Sequence, residues 1–178
     1  MLMNKILEMT AGDLAAVYTD ISDTEKFAAG YYLGADKDNV LIAHITPYGK
    51  YDGYITKRVD DIYQIEKDGR YLRKLQDLYV LQNQKYEPIC IEEDIICEVL
   101  KWAFENEKIV SIEMGSSGFS DLQGYVDYVD EETVGILKID DFGNLDGKAT
   151  AELCNISNVI CDSEKEQSLA ILSAKNSK

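Results

Sequence analysis

One stretch of this chain is written twice. Residues 30–68 read GYYLGADKDNVLIAHITPYGKYDGYITKRVDDIYQIEKD, and ninety-four residues later 124–162 read GYVDYVDEETVGILKIDDFGNLDGKATAELCNISNVICD. The two align without a gap. Gly30, Tyr31, Asp36, Val40, Ile42, Ile45, Gly49, Asp52, Gly53, Thr56, Ile62 and Asp68 return as Gly124, Tyr125, Asp130, Val134, Ile136, Ile139, Gly143, Asp146, Gly147, Thr150, Ile156 and Asp162. Such a repeat restricts the fold severely, because one short unit must fold twice. What recurs is turn glycines, turn aspartates and apolar residues at period two, the writing of short β-strands. No residue pair suited to nucleophilic or acid–base chemistry recurs, which points away from an enzyme and implies no cofactor.

Each copy reads as five short strands. In the first they are 14–19, 27–35, 40–46, 54–59 and 62–66, joined by the turns 20–26 and Asp36-Lys37-Asp38-Asn39, the loop 47–53 and the step Asp60-Asp61. Gly30 and Gly34 sit where a strand must bend or admit another backbone closely. Five bent strands in about fifty residues bury their apolar faces by coiling into a small barrel. Helical spacing appears at 3–9 with Ile6 and Leu7 facing inward, and from Tyr71 to near Tyr86 with Asp68 as N-cap. It returns at 92–106, and again after a capping box at Ser163 and Glu166. The expectation is a mainly β protein with flanking helices: two tandem five-stranded barrels formed by duplication, one in 1–85 with its C-terminal helix, the other in 86–178 with a helix on each side.

Thirty-three acids against eighteen bases give a net charge of -15, a field that disfavours nucleic acid and anionic membrane partners. The two copies differ. Residues 30–68 hold five bases and seven acids, 124–162 two bases and nine acids. Cys90, Cys97, Cys154 and Cys161 lack metal-ligand spacing beside the single histidine, so no zinc site is expected and reduced thiols in the cytoplasm are. No run approaches the length of a membrane span, and the N-terminus carries no cleavage-site pattern.

A strand glycine, Gly30, followed by Asp36 and Asn39 at the next turn resembles the first signature of the Sm and LSm family, whose barrel also resembles the SH3 type. Gly124, Asp130 and Thr133 stand at the matching places of the second copy. Arg58 fits the family's apolar-Arg-Gly step, but Val59 replaces the glycine, and the second copy has Glu152 and Leu153. The resemblance implies Sm-like or SH3-like barrels over two-thirds of the chain and, as the alternative function, RNA binding through Gly30, Asp36, Asn39 and Arg58. The Tyr-Gly-x-x-Asp-Gly loop and the closing Cys-Asp-Ser-Glu also resemble a group of bacterial proteins to which no activity is attached.

The loop Tyr48-Gly49-Lys50-Tyr51-Asp52-Gly53, repeated as Phe142-Gly143-Asn144-Leu145-Asp146-Gly147, has two readings. One is hairpin chemistry. The other is a contact surface in which Tyr48, Lys50, Tyr51, Tyr54 and Arg58 of the first copy, with Asp140, Asp141 and Phe142 of the second, meet another protein or a second copy of this chain. His44 needs a carboxylate partner for any acid–base role, with Asp36 and Asp60 as candidates. The acidic set Asp127, Asp130, Glu131, Glu132, Asp140 and Asp141 lacks calcium-loop spacing and reads as a solvated face.

Overall fold

Turn residues and alternating apolar positions are local signals, and the structure follows them closely. It is a computed structural model describing residues 2–176 except Glu93 and Ser116. The chain divides into two units, Met1–Ile91 and Glu92–Lys178. Unit 1 runs α1 (Leu2–Leu7), β1 (Leu14–Tyr18), β2 (Ala28–Ala35), β3 (Asn39–Ile45), β4 (Tyr51–Arg58), β5 (Gln64–Lys67) and α2 (Arg70–Leu81). Unit 2 runs α3 (Ile95–Glu105), β6 (Ile109–Met114), β7 (Leu122–Val129), β8 (Thr133–Ile139), β9 (Leu145–Glu152), β10 (Ile156–Cys161) and α4 (Glu164–Asn176). The protein is mainly β with flanking helices.

Both units use one strand order: β5-β1-β2-β3-β4 in the first and β10-β6-β7-β8-β9 in the second, each an antiparallel meander whose last strand returns beside its first. Each order is open. Among the described residues β5 does not pair with β4, nor β10 with β9. Bulges fall at matching places, between Tyr32 and Gly34 as between Val126 and Tyr128, and between Ala43 and Ile45 as between Leu137 and Ile139. The extra residue at a bulge sharpens the local bend. A short 3-10 turn, Val59–Asp61 or Leu153–Asn155, replaces the direct step expected between the last two strands. Gly30 and Gly124 admit the neighbouring backbone as expected: a Cβ there would lie 2.1 Å from Ala43 O and 2.0 Å from Leu137 O.

Inside unit 1, Val17, Tyr32, Val40, Ile42, Val59 and Ile62 form the core that Ile6 of α1 closes. Leu7, expected inward, is exposed, because a helix of six residues offers the core one narrow stripe. The opposite side of β1 and β2 lies under α2, where Ala16, Tyr18 and Ala29 pack on Leu72 and Leu75, with Phe27 and Tyr63 beside them. Unit 2 changes this layer. In register, Ala16 and Leu72 become Ser111 and Glu166, Phe27 becomes Asp121, and Tyr63 becomes Ser157. Ser111 Oγ donates to Glu166 Oε1 at 2.6 Å, Ser163 N donates to Glu166 Oε2 at 3.2 Å, and the Ser163 hydroxyl contacts the same oxygen. The glutamate's half of the expected capping box therefore forms, with the Ser163 hydroxyl turned to the Glu166 carboxylate, and that glutamate also ties α4 to β6.

Three other boundaries move. The helix α2 stops at Leu81 instead of near Tyr86, and its N-cap is Gly69; Asp68 sits one residue earlier in left-handed backbone with φ 62, as does Asp162 with φ 59. Asp94 begins α3, accepting from Cys97 N at 2.8 Å. Strand β4 starts at Tyr51, which puts Tyr51, Asp52 and Gly53 in the ladder and shortens the loop before it.

Candidate functional site

The β3–β4 loop of unit 1 is held from both ends. Thr46 Oγ1 accepts from Tyr48 N at 3.3 Å and Lys50 N at 3.2 Å, while Gln82 Nε2 at the end of α2 donates to Tyr48 O at 2.8 Å. Gly49 lies on the helix: its φ is 74, and a Cβ would be 2.3 Å from Leu78 Cβ. Unit 2 repeats the lock with different residues. Asp140 accepts from Phe142 N at 2.9 Å and Asn144 N at 2.8 Å, Asn176 Nδ2 of α4 donates to Phe142 O at 3.0 Å, and a Cβ on Gly143 would be 2.6 Å from Leu172 Cβ. These donors, with the Asn144 backbone first, hold the Asp140 carboxyl below the usual carboxylate range. Hairpin chemistry and outward display are thus one arrangement. The backbone is fixed, and the residue at each tip points away: Tyr48 is 77% exposed and Phe142 75%.

The candidate residues separate on this frame. Tyr48, Lys50, Asp141 and Phe142 are exposed at the two tips. Asp140 is half-buried, and its carboxyl is occupied in holding its own loop. Tyr51 is half-buried, its N–H donating to Gln84 Oε1 at 3.1 Å and its ring edge-on to Tyr54 with centroids 5.7 Å apart. Tyr54, expected in the contact surface, is 1% exposed, because its hydroxyl is engaged with the backbone of Glu87, beyond α2. Arg58 stays exposed at the far end of β4, with Nε 4.0 Å from Asp61 Oδ2.

Residues of the RNA-binding alternative are likewise employed locally. Asp36 Oδ1 accepts from Asp38 N at 2.7 Å and Asn39 N at 2.6 Å, so that carboxyl holds the β2–β3 turn, and Asn39 is buried. Asp130 does the same for the β7–β8 turn through Glu132 N, Thr133 N and the Thr133 hydroxyl, which lower its pKa. Lys148 pairs with Asp127 at 3.0 Å and Lys138 with Asp146 at 3.0 Å, so part of the acidic face is neutralised in place. Among the described residues no group of three His, Cys, Asp or Glu side chains could hold a metal ion.

Sequence reasoning missed one pair. His44 Nδ1 lies 3.0 Å from Asp52 Oδ2, neither from Asp36 nor from Asp60, and both side chains are largely buried across the bulged β3–β4 ladder. Lys138 and Asp146 make the equivalent pair. The signal was present: a nitrogen-bearing basic side chain, His44 or Lys138, at both copies of one position, opposite an aspartate kept in both, marks a cross-strand clamp. The pair ties β3 to β4 beside the bulge.

Among the described residues no helix is long and apolar enough to cross a membrane. No family model, no curated protein and no solved structure matches the chain.

Proposed function

We propose that the chain is a non-catalytic binding or scaffold protein of the cytoplasm that meets another protein through its two loop tips. The observation that carries this reading is the lock beneath each tip. An aromatic side chain left in water on a backbone already fixed by a helix loses little further freedom on binding, which is how contact anchors gain affinity. Other apolar side chains are also left in water: Val80 and Leu81 at the end of α2, Leu145 at the start of β9 and Ile171 in α4. The rims differ in charge, with Lys50 beside Tyr48 and Asp141 beside Phe142, so the two tips suit different surfaces, whether of a partner protein or of a second copy.

For the fold, the reading is that both units descend by duplication from one Sm-like or SH3-like small barrel. Its support is the shared strand order, the matching bulges and 3-10 turns, and the helix lock, whose Gly49, Leu78 and Gln82 stand ninety-four residues before Gly143, Leu172 and Asn176.

The test is capture of partners from native cytoplasm by the parent, Tyr48→Ala and Asp141→Lys/Phe142→Ala, with folding checked by circular dichroism. Each variant is expected to lose a distinct subset of the captured proteins. Unchanged capture by both folded variants rejects the loop tips. Binding of U-rich RNA at low salt that disappears in Arg58→Glu replaces this reading with the RNA one.

A further inference from the structure

The outer face of unit 1 around Tyr31, Tyr54 and Tyr79 is covered by a stretch of its own chain. Residues 84–91, QKYEPICI, leave α2 and cross that face without helix or strand pairing. They are gripped chiefly by the backbone. Tyr54 Oη donates to Glu87 O and accepts from Glu87 N at 3.1 Å, so one phenol engages both polar groups of one residue. Gln84 N donates to Tyr79 O at 3.0 Å, the bond that closes the end of α2 after left-handed Asn83 and starts the stretch on its way. The Tyr86 ring packs on Tyr31 with centroids 5.4 Å apart, and Ile91 lies over Gly34, where a Cβ would be 2.7 Å from Ile91 Cδ1. Pro88 biases Glu87 toward extended backbone, the form in which N–H and C=O are both open to an outside partner.

This is the grammar of peptide recognition: main-chain hydrogen bonds for affinity, with an aromatic and an aliphatic side chain seated on either side for specificity. One detail shows that the strap fits the face incompletely. Tyr79 Oη, on a residue 6% exposed and packed among Tyr31, Tyr86 and Tyr54, has no hydrogen-bond partner among the described residues. A buried hydroxyl left unpaired is a cost that a ligand bringing a polar group to it removes. Unit 2 closes the matching face by itself. Tyr128 stands where unit 1 has Gly34, its ring lies against Gly135 with its hydroxyl 3.2 Å from Thr150 Oγ1, and Lys148 replaces Tyr54.

We infer that the tyrosine face of unit 1 is a peptide groove, filled in cis by residues 84–91, whose ligand in trans is an extended protein segment of aromatic-acidic-proline order with a polar group that reaches Tyr79 Oη. This deepens the protein-binding reading above by adding a site and the kind of segment it takes. The strap acts as a tethered competitor, so the groove opens only as the strap lifts.

The test uses the full chain and a labelled hexapeptide, acetyl-Gln-Lys-Tyr-Glu-Pro-Ile-amide, followed by fluorescence anisotropy. Tyr86→Ala weakens the strap and leaves the groove wall intact. The peptide is expected to bind Tyr86→Ala at least tenfold more tightly than the parent, and to lose at least tenfold when Tyr54→Phe is added. Equal affinity for parent and variant, no binding to the folded variant, or indifference to Tyr54→Phe overturns the groove. Should Tyr86→Ala fail to fold, hydrogen exchange on the parent decides: the Glu87 amide must exchange by local opening, faster than the amides of β3, and exchange only together with β3 refutes a liftable strap. Neither readout involves Tyr48 or Phe142, so failure here leaves the loop-tip reading standing, and the reverse.

Discussion

Replacing Ser111 by alanine removes the hydroxyl that donates to Glu166 Oε1 at 2.6 Å, in a place where both residues are buried and the glutamate is 1% exposed. A buried acceptor stripped of its donor costs roughly 1–3 kcal/mol, and this one sits where water has little access, so Ser111→Ala is expected to lose about 2 kcal/mol. Glu166→Leu alone leaves the Ser111 hydroxyl unpaired and ends the return bond to Ser163 N, a cap worth about 1 kcal/mol, while the new leucine recovers part of that through burial. Its net loss is expected at about 1–2 kcal/mol on the same grounds. The double variant recreates the Ala16 and Leu72 pairing that unit 1 uses at the same place. It should therefore fall within about 1 kcal/mol of the parent, well short of the additive 3–4 kcal/mol, a coupling of at least 2 kcal/mol. Urea unfolding followed by the fluorescence of Trp102, the single tryptophan and a residue of α3, reports unit 2. Additive losses, or a loss below about 0.5 kcal/mol for Ser111→Ala, refute the dependence of Glu166 on Ser111.

Gly49→Ala and Gly143→Ala each force a side chain into left-handed backbone and onto a leucine of the supporting helix, and should each cost roughly 2–4 kcal/mol in thermal unfolding, whereas Gly12→Ala, with open space around it, costs only its backbone strain of about 1–2 kcal/mol. Tyr79→Phe removes a hydroxyl with no partner among the described residues and should leave stability unchanged or raise it by up to about 1 kcal/mol; a fall reveals a partner for that oxygen. Thiol labelling of the folded chain should modify Cys90 and Cys154, both exposed, first; Cys161, buried and with its thiol pushed up by that burial, should react only on unfolding, even as the pH is raised. In acid, the lowered pKa values of Asp121, Asp130 and Asp140 mean that their contribution is present above the unfolded carboxylate range and lost as pH falls through the lower folded values. Asp140→Thr, which installs the Thr46 solution of unit 1, should keep the loop and reduce this acid sensitivity, read from Trp102 fluorescence against pH.

Strand and turn placement were legible in the residues, because a turn aspartate, a glycine at a close approach and period-two apolar spacing act within a few residues of themselves. The return of Glu166 to the Ser163 N–H was legible for the same reason. What the residues could not show were meetings over long separations. Tyr54 reads as a surface tyrosine until the chain after α2 comes back to cover it. Ser111 and Glu166 look like two ordinary polar residues until the fold stacks one helix on one strand. The sequence alone determined the short strands, the turns between them and an aromatic residue, Tyr48 or Phe142, in each of the two matching loops. Tertiary structure decided which aromatics stay in water and which are buried under the chain, since burial depends on what packs above a side chain, and that partner lies tens of residues away.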